Sequence, residues 1–483
     1  MNAGIDQAVI LAAGMGTRIR GESQPLPKPL VSVGGLTLLK RTLLTARKAG
    51  ITRFVVVLGF DSKRVRAAID GDPDLAGLTL TFVENPDYRL SNGVSVLKAR
   101  PHVRGEFFLM MADHVVDPAI YRRLQEEPAR GGLVLAVDRK LDSIFDMDDA
   151  TKVRTGTAER IVAIGKTLPE YDAIDTGIFR CDPALFDALA RVHAERGDTS
   201  LSDGVQALAR DGLARVADIG AAWWQDVDTP ETRKHAEKLL FASLTKPTDG
   251  PVSRHINRRF SKTVTRLLMN TNLVPNHVTA IGLLVGLAAA VVTAFASPAA
   301  LWLLPLGGVL FQLSSMLDGC DGEIARLKFK HSDRGEWFDS ISDDVINLSY
   351  QLAVGYALYR LSGEAVWFQI GLASFVLGWV ICGSLYRYLL TTARGNHMSF
   401  EWSYMDASNT SWFQRFCARF EFIARREGYA LLLMVSALIG PVAMRVTIVA
   451  SFIAVCIIGV QWFTTQLREG AARRASDTTA QVR

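Results

Sequence analysis

The residues of this 483-residue chain best suited to chemistry are four aspartates at fixed spacing. From Asp318 to Asp343 the pattern is D-x2-D-G-x2-A-R-x8-G-x3-D-x3-D. On a helix, Asp318, Asp321, Gly322 and Ala325 share one face, and Gly335, Asp339 and Asp343 share another. Two helices joined by a short basic turn would then present four carboxylates to one another across a gap. At membrane depth such a cluster is prohibitively repulsive unless cations neutralise it. Hard carboxylate oxygens select Mg²⁺, or Mn²⁺ in its place, over zinc. Four acids that merely cap helices at a water interface would not need so long and restrictive a spacing. Gly322 and Gly335 would let a bulky ligand or the partner helix approach closely.

A second constellation lies near the N-terminus. Ala8 to Leu11 is a short apolar strand, followed at once by the glycine-bearing turn AAGMGTR. Gly14 and Gly16 remove the Cβ atoms that would keep backbone N–H groups from a phosphate. The turn is neither a Walker loop nor a dinucleotide G-x-G-x-x-G, since the required residues are missing. Arg18 on the turn and Lys28 in PKPL offer two cations for a triphosphate. Asp113, in MMADH, falls at the end of an apolar strand, and WWQDVDTPE places Asp226 and Asp228 after another. Two distant carboxylates converging on one Mg²⁺ would neutralise a triphosphate and hold an attacking phosphate in line. A strand-end aspartate acting only as a helix cap is the plain alternative for each.

The elements that must position these residues fall into two parts. The chain is 49% hydrophobic and 21% charged, which excludes disordered, collagenous and disulfide-scaffold classes. Its mean hydropathy of +0.17 is too high for an ordinary soluble enzyme and conceals a division. Up to about residue 241 charges are spread throughout, and strands at 53–58, 79–83, 107–112 and 133–137 alternate with helical stretches. That pattern implies βαβ units in a mainly parallel sheet, with the site at the strands' carboxyl ends. From Asn276 to Leu317 there is no Asp, Glu, Lys or Arg. A bilayer span takes about 20 apolar residues, and six spans are expected, near 277–297, 301–320, 338–360, 365–388, 428–444 and 446–466.

Charge then sets the orientation. Lys328, Lys330, Arg334, Arg394, Arg415, Arg419, Arg425 and Arg426, with Arg468, Arg473 and Arg474 of the tail, mark one side; Arg360 and Arg445 are nearly all that marks the other. The excess places the N-terminal domain, both sites and the C-terminus in the cytoplasm of a multi-pass inner-membrane protein. No signal peptide is expected, because residues 1–20 lack a basic segment followed by a cleavable apolar one. Five cysteines without C-x-x-C spacing indicate neither a disulfide nor a zinc framework. A net charge of +5 gives little support for a nucleic-acid partner, and none is expected. Between the halves, Thr245 to Gly250 reads as a linker. Val252, Ile256, Phe260, Val264 and Leu267/Leu268 then recur at helical spacing among Arg254, Arg258, Arg259, Lys262 and Arg266. This is an amphipathic basic helix suited to a bilayer surface. The expected organisation is residues 1–242, a linker and juxtamembrane helix at 243–275, and a membrane domain at 276–483.

Taken in order, LAAGMGTR…PKPL, MADH, Lys166 in IVAIGKTL, DTGIF at 175–179 and DVDTPE resemble the sugar-phosphate nucleotidyltransferases over about residues 7–235. The resemblance implies attack by a substrate phosphate on the α-phosphorus of a nucleoside triphosphate, with release of pyrophosphate. By position, Gly14, Gly16, Arg18 and Lys28 would hold the nucleotide, with Arg18 and Lys28 acting in catalysis. Asp113 and Asp228 would hold Mg²⁺, and Lys166 would contact the substrate phosphate. Ser91-Asn92-Gly93 resembles the family's segment near base and substrate.

The eight fixed positions of the aspartate pattern resemble the signature of the CDP-alcohol phosphotransferases, over about residues 270–466. That implies attack of an acceptor hydroxyl on the β-phosphorus of a CDP-alcohol, with CMP leaving. Asp318, Asp321, Asp339 and Asp343 would be metal ligands, and Asp343 also the general base. Gly322 and Arg326 would meet the nucleotide. Lys328, Lys330, His331 and Arg387, with Arg254, Arg258 and Arg259, are candidates for an acceptor phosphate; positive-inside topology accounts for any one of them equally well.

The expected fold class is therefore a Rossmann-like α/β nucleotidyltransferase domain followed by an all-α transmembrane domain of six helices. The first product is most simply the second substrate, so the nucleotide is CTP. This order of domains resembles the bifunctional inositol-1-phosphate cytidylyltransferase/di-myo-inositol-phosphate phosphate synthase family, as do LTKPTDGPVSRHINRRFS and LVPNHVT. It implies inositol 1-phosphate as the small-molecule partner of CTP, a surrounding lipid bilayer, and a homodimer through the membrane helices. Another polyol phosphate or a lipid acceptor fits the same residues, and a non-catalytic membrane-anchored nucleotide-binding protein is the alternative of a different class. Intact aspartates in both halves argue against that last alternative.

Overall fold

The computed structural model describes residues 4–20, 26–245, 250–392, 411–412, 414–416, 419 and 425–481, which divide into two compact units, Met1–Ala242 and Ser243–Arg483. Of the expected cytoplasmic charges, Arg394 and the side chains of Arg468, Arg473 and Arg474 lie outside the described residues.

Besides a short hairpin of Ser32–Val33 with Leu36–Thr37, the strands of the first unit are β1 (Gln7–Ala12), β2 (Arg53–Leu58), β3 (Thr79–Glu84), β4 (Phe107–Met111), β5 (His114–Val116), β6 (Leu133–Asp138), β7 (Lys152–Thr155), β8 (Ile161–Gly165), β9 (Ala173–Cys181), β10 (Ala214–Asp218) and β11 (Trp224–Asp226). Helices α1 (Leu38–Arg47), α2 (Asn92–Ala99), α3 (Ala184–Arg196), α4 (Leu201–Arg210) and α5 (Pro230–Ser243) accompany them. Runs such as VILA and RFVVVL have no polar alternation, as strands covered on both faces require. Val9, Val55 and Val57, with Phe107, Phe179, Leu189 and Val205, belong to one buried core.

The sheet order is β8-β7-β9-β4-β1-β2-β3, with β6 and β10 continuing from β9. It departs from the expected mainly parallel sheet. Strands β4, β1, β2 and β3 are parallel, as are β6 and β10, but β9 runs antiparallel to β4, β6 and β7. The cause is local: only turns and the β7–β8 hairpin separate β6 from β9. Without a helical crossover the chain returns in the opposite direction.

Two registers bring the chemistry together. Leu11 pairs with Met111, so the glycine turn after β1 and Asp113 after β4 leave the sheet side by side. Strand β11 pairs antiparallel with β5, Asp226 opposite His114, which carries Asp226 and Asp228 to the same edge.

The second unit consists of α6 (Arg258–Leu268), α7 (Pro275–Ala294), α8 (Leu303–Lys328), α9 (Asp333–Ser362), α10 (Ala365–Thr392), α11 (Arg426–Ile439) and α12 (Pro441–Gln481). Among the described residues, four helices, α7, α8, α10 and α12, are long and apolar enough to cross a bilayer. Helix α9 also stands where a span was expected but begins with the acidic and basic residues DRGEWFDSISDD, and α11 has only 14 residues. At the end of α8, Phe329 takes a left-handed φ of 56° and Lys330 N–H donates to the Ala325 carbonyl at 2.9 Å. Ser332 caps α9 by accepting from Gly335 N–H at 3.1 Å. That tight reversal sets Asp318 and Asp321 against Asp339 and Asp343. Helices α9 and α10 cross backbone to backbone: a Cβ on Gly355 would lie 2.7 Å from the Trp367 carbonyl oxygen.

The juxtamembrane helix α6 is amphipathic as expected, but its most deeply buried residues are polar. Asn257, just before it, and Ser261 and Thr265 within it are buried, whereas Ile256 and Leu267 are 41% and 74% exposed. Of the expected apolar stripe, Val264 and Leu268 pack partly buried against Val278, Cys320 and Ile324, and the hydroxyls of Ser261 and Thr265 face helix α8.

Candidate functional sites, one in each unit

In the first unit five of the expected residues meet. Lys28 is buried, its ammonium 2.5 Å from Asp113 Oδ2 and paired with Asp228. Arg18 donates to Asp228 and to Asp149, each at 2.7 Å, and Lys166 reaches Asp149 at 2.6 Å. Burial opposes the charge of Lys28, but the carboxylates of Asp113 and Asp228 outweigh it and raise its pKa. Burial likewise opposes ionisation of Asp113, yet Lys28 and His114 hold its carboxyl well below the usual range. His114, 2.7 Å from Asp113, is raised because that carboxylate outweighs its burial. Burial pushes Asp226 upward despite His114, with Asp228 and Asp113 adding repulsion.

Gly16 earns its place sterically. Its φ is +57°, and a Cβ there would run into the side chain of Lys28, whereas around Gly14 the space is open. Gly16→Ala is expected to lower the rate of nucleotide transfer by about tenfold or more through displaced Lys28, since a misplacement of about 1 Å can cost ~10²-fold; Gly14→Ala should cost less, and pyrophosphate release by the two variants decides it. The 91–93 segment begins α2 and is fastened to the loop before α4. Ser91 Oγ donates to Asp198 at 2.7 Å, Asn92 accepts from Leu201 N–H at 2.8 Å, and a Cβ on Gly93 would meet the Thr199 carbonyl oxygen.

Sequence reasoning missed Asp149 and His114 here. Asp149 belongs to the acid-rich loop DMDD, which has no distinguishing spacing; His114 was visible beside Asp113 but had no assigned partner. Carboxylate oxygens of Asp149, Asp226 and Asp228 lie within 4.8 Å of one another, a hard-oxygen set that fits Mg²⁺.

In the second unit the four aspartates converge as their spacing requires. Oxygens of Asp318, Asp321 and Asp339 lie within 4.8 Å of one another. Thr279 Oγ1 of α7 donates to Asp321, and Asp339 Oδ1 is buried without a hydrogen-bond partner. A buried carboxylate oxygen left unpaired is costly, and a divalent cation among these oxygens resolves it. Arg426, at the start of α11, lies 3.0 Å from Asp318, pairs with Asp343 and donates to Ser314 at 3.2 Å. In the sequence Arg426 was visible only as one cytoplasmic charge among many, because nothing in its surroundings ties it to residues about 100 positions earlier.

The remaining expected residues are dispersed. Gly322 lies under Arg326, whose Nη1 would be 3.3 Å from a Cβ at that position, and Arg326 donates to the Leu244 carbonyl at 3.2 Å. Lys328 is buried and donates to the carbonyls of Thr271 at 2.6 Å and Leu273 at 3.2 Å. Its ammonium ties down the loop before α7. Arg258 is likewise committed, at 2.9 Å, to Glu323. Lys330 is half-buried and His331 exposed on the α8–α9 turn, Gly335 sits in the first turn of α9, and Arg387 is exposed on α10.

Known proteins match both units. The model of the MobA-like NTP transferase domain matches residues 8–203, and that of the CDP-alcohol phosphatidyltransferases matches residues 272–414. A protein of Thermococcus kodakarensis described as "Bifunctional IPC transferase and DIPP synthase" is 36% identical over 385 residues, which is 79% of this chain and 82% of that protein. One of Rubrobacter xylanophilus with the same description is 40% identical over 341 residues, 70% of this chain and 74% of its own. A solved structure, "Structure of the inositol-1-phosphate CTP transferase from T. maritima", is 27% identical, covers 50% of this chain and 98% of that one, and has a TM-score of 0.45. The alignments to the two proteins run through both units and their connection, and the chain belongs to the family of bifunctional IPC transferases and DIPP synthases.

Proposed function

We propose that this enzyme makes CDP-inositol from CTP and inositol 1-phosphate and then transfers its phosphoinositol group to a second inositol 1-phosphate. In the first step a phosphate oxygen of inositol 1-phosphate attacks the α-phosphorus of CTP; the bond to the β-phosphate breaks and pyrophosphate leaves. In the second, an inositol hydroxyl attacks the β-phosphorus of CDP-inositol, CMP leaves, and the product is phosphorylated di-myo-inositol phosphate. The observation that carries this reading is the presence of a carboxylate–cation cluster in each unit, each built from the residues its reaction needs.

Mg²⁺ supplies neutralisation of phosphate charge at both sites when bound. Asp113 and Asp228 would hold it in the first unit, with Asp226 and Asp149 beside them, and Asp318, Asp321, Asp339 and Asp343 in the second. Lys28 and Arg18, at the glycine turn, bind the triphosphate oxygens and counter the charge that develops on pyrophosphate. Lys166 takes the phosphate of inositol 1-phosphate, with Asp149 spacing it from Arg18. Asp343 accepts the proton of the attacking hydroxyl. Arg426, in contact with Asp318 and Asp343, and Arg326 beside Gly322 face the phosphates of the CDP-alcohol. Lys328, Lys330, His331 and Arg387 would serve the acceptor phosphate.

The organisation we propose is a cytoplasmic unit at 1–242, a linker and juxtamembrane helix at 243–275, and six spans in 276–483, with α9 and α11 completing the four apolar helices. The protein sits in the inner membrane with both sites and the C-terminus cytoplasmic, and forms a homodimer through its membrane helices. Purified full-length protein given CTP, Mg²⁺ and labelled inositol 1-phosphate is expected to release pyrophosphate first and CMP after it. Release only with a different alcohol phosphate would overturn the inositol assignment.

A further inference from the structure

The most completely enclosed carboxylate among the described residues of the second unit belongs to neither reaction. Glu323 of α8 is 0% exposed. Its Oε1 accepts from Arg258 Nη1 at 2.9 Å and Ser261 Oγ at 2.7 Å, and its Oε2 accepts from Thr265 Oγ1 at 2.7 Å. All three donors come from α6. Arg258 also donates to the Gly319 carbonyl at 3.3 Å, and Gln312 Nε2 of α8 donates to Asn257 Oδ1 at 3.0 Å. A polar seam thus runs along α8 on the side away from the metal cluster. At about 100° per residue, Glu323 stands roughly 140° from Asp318 and roughly 160° from Asp321 around the helix.

Apolar packing would hold two helices together without fixing their rotation, because leucines slide and repack. A buried carboxylate with three directional donors tolerates one rotation, and removing a partner leaves an uncompensated charge. Carboxylate oxygens lie about 6 Å from the helix axis, so turning α8 by about 20° moves them by about 2 Å. That displacement exceeds what a reacting site tolerates.

We infer that Glu323 is a positioning residue for CMP release: it clasps the juxtamembrane helix to the back of α8 and so sets the rotation that aims Asp318 and Asp321 at Asp339 and Asp343. The inference rests on the proposed second reaction. Helix α6 is accordingly part of the catalytic framework as well as a surface anchor.

The test uses full-length enzyme in liposomes supplied with CDP-inositol and inositol 1-phosphate. Glu323→Gln keeps the shape and loses the charge, and is expected to lower kcat for CMP release about tenfold with little change in KM. Pyrophosphate release in the first step should be unaffected. Arg258→Lys, which keeps a cation, should retain most of the rate. Tryptic cleavage after Arg259 and Arg266 should accelerate in Glu323→Gln, reporting loosening of α6 independently of turnover. Faster cleavage with normal CMP release would overturn the positioning role, as would slower CMP release with unchanged cleavage. Equal loss of both half-reactions would overturn it too. Should wild-type protein turn over a different CDP-alcohol, the inositol reading falls and the same kcat ratio on that substrate decides the clasp.

Discussion

Asp343→Asn in the full-length enzyme, given CTP, Mg²⁺ and inositol 1-phosphate, is expected to accumulate CDP-inositol and to release CMP at least about 10²-fold more slowly than wild type. Asparagine keeps the size of the side chain and an oxygen for Arg426, which pairs with Asp343 in the native enzyme. Helix α9 should therefore stay folded. What is lost is the group that takes the hydroxyl proton, a contribution worth about 10²–10⁴-fold in enzymes that use it. A ligand charge is lost with it, which adds to the effect. The first step draws on none of these residues, so pyrophosphate release should persist. Chromatographic quantitation of CDP-inositol, CMP and pyrophosphate from one reaction reads all three. Loss of both activities to the same extent would mean that the two sites do not act independently.

Lys28→Met is expected to do the reverse. Pyrophosphate release should fall by about 10³-fold, because the lost ammonium serves both ground-state binding and the charge developing on the leaving group. CMP release from added CDP-inositol should be unchanged. The variant should also be less stable: removing one partner of a largely buried charge pair costs about 3 kcal/mol or more, and here two carboxylates, Asp113 and Asp228, lose the same cation. Mg²⁺ should restore part of that stability, since it replaces positive charge between them. Thermal unfolding with and without Mg²⁺ checks this, and a variant that keeps its pyrophosphate release would remove Lys28 from the mechanism. Lys28→Arg is not a conservative rescue, because a planar fork does not fit where a compact ammonium sits between two aspartates.

The two chemistries were legible in the sequence, and so were most of the residues that meet at the two candidate sites. Asp318, Asp321, Asp339 and Asp343 were legible because they lie within one turn-linked helix pair, where sequence spacing converts directly into facing positions. Arg18, Lys28, Asp113 and Asp228 were legible because strand ends of an α/β sheet collect at one edge. Arg426 and Asp149 were not. Each comes to its site from a remote segment whose local sequence carries no pattern, and tertiary packing alone decides the meeting. The antiparallel β9 in a sheet expected to be mainly parallel was not foreseen for a different reason: the β7–β8 hairpin supplies a short return that hydrophobic alternation does not distinguish from a crossover. That Lys328 ties down a loop was not legible either, because a basic residue that does so reads like any other until the carbonyls of Thr271 and Leu273 are seen beneath it.

The polar seam of α6 also bears on modularity. By hydropathy the membrane enzyme begins at the first span, α7, and a gene fusion or truncation would be cut there. Such a cut would strip Glu323 of Arg258, Ser261 and Thr265 and leave on α8 a carboxylate without the groups that neutralise and cover it. The transferable unit therefore starts ahead of Asn257, and the partner domain can be exchanged only upstream of that point. Any recombination that preserved the second activity would have to carry these residues as passengers, which ties the junction of the two enzymes to the interior of one of them.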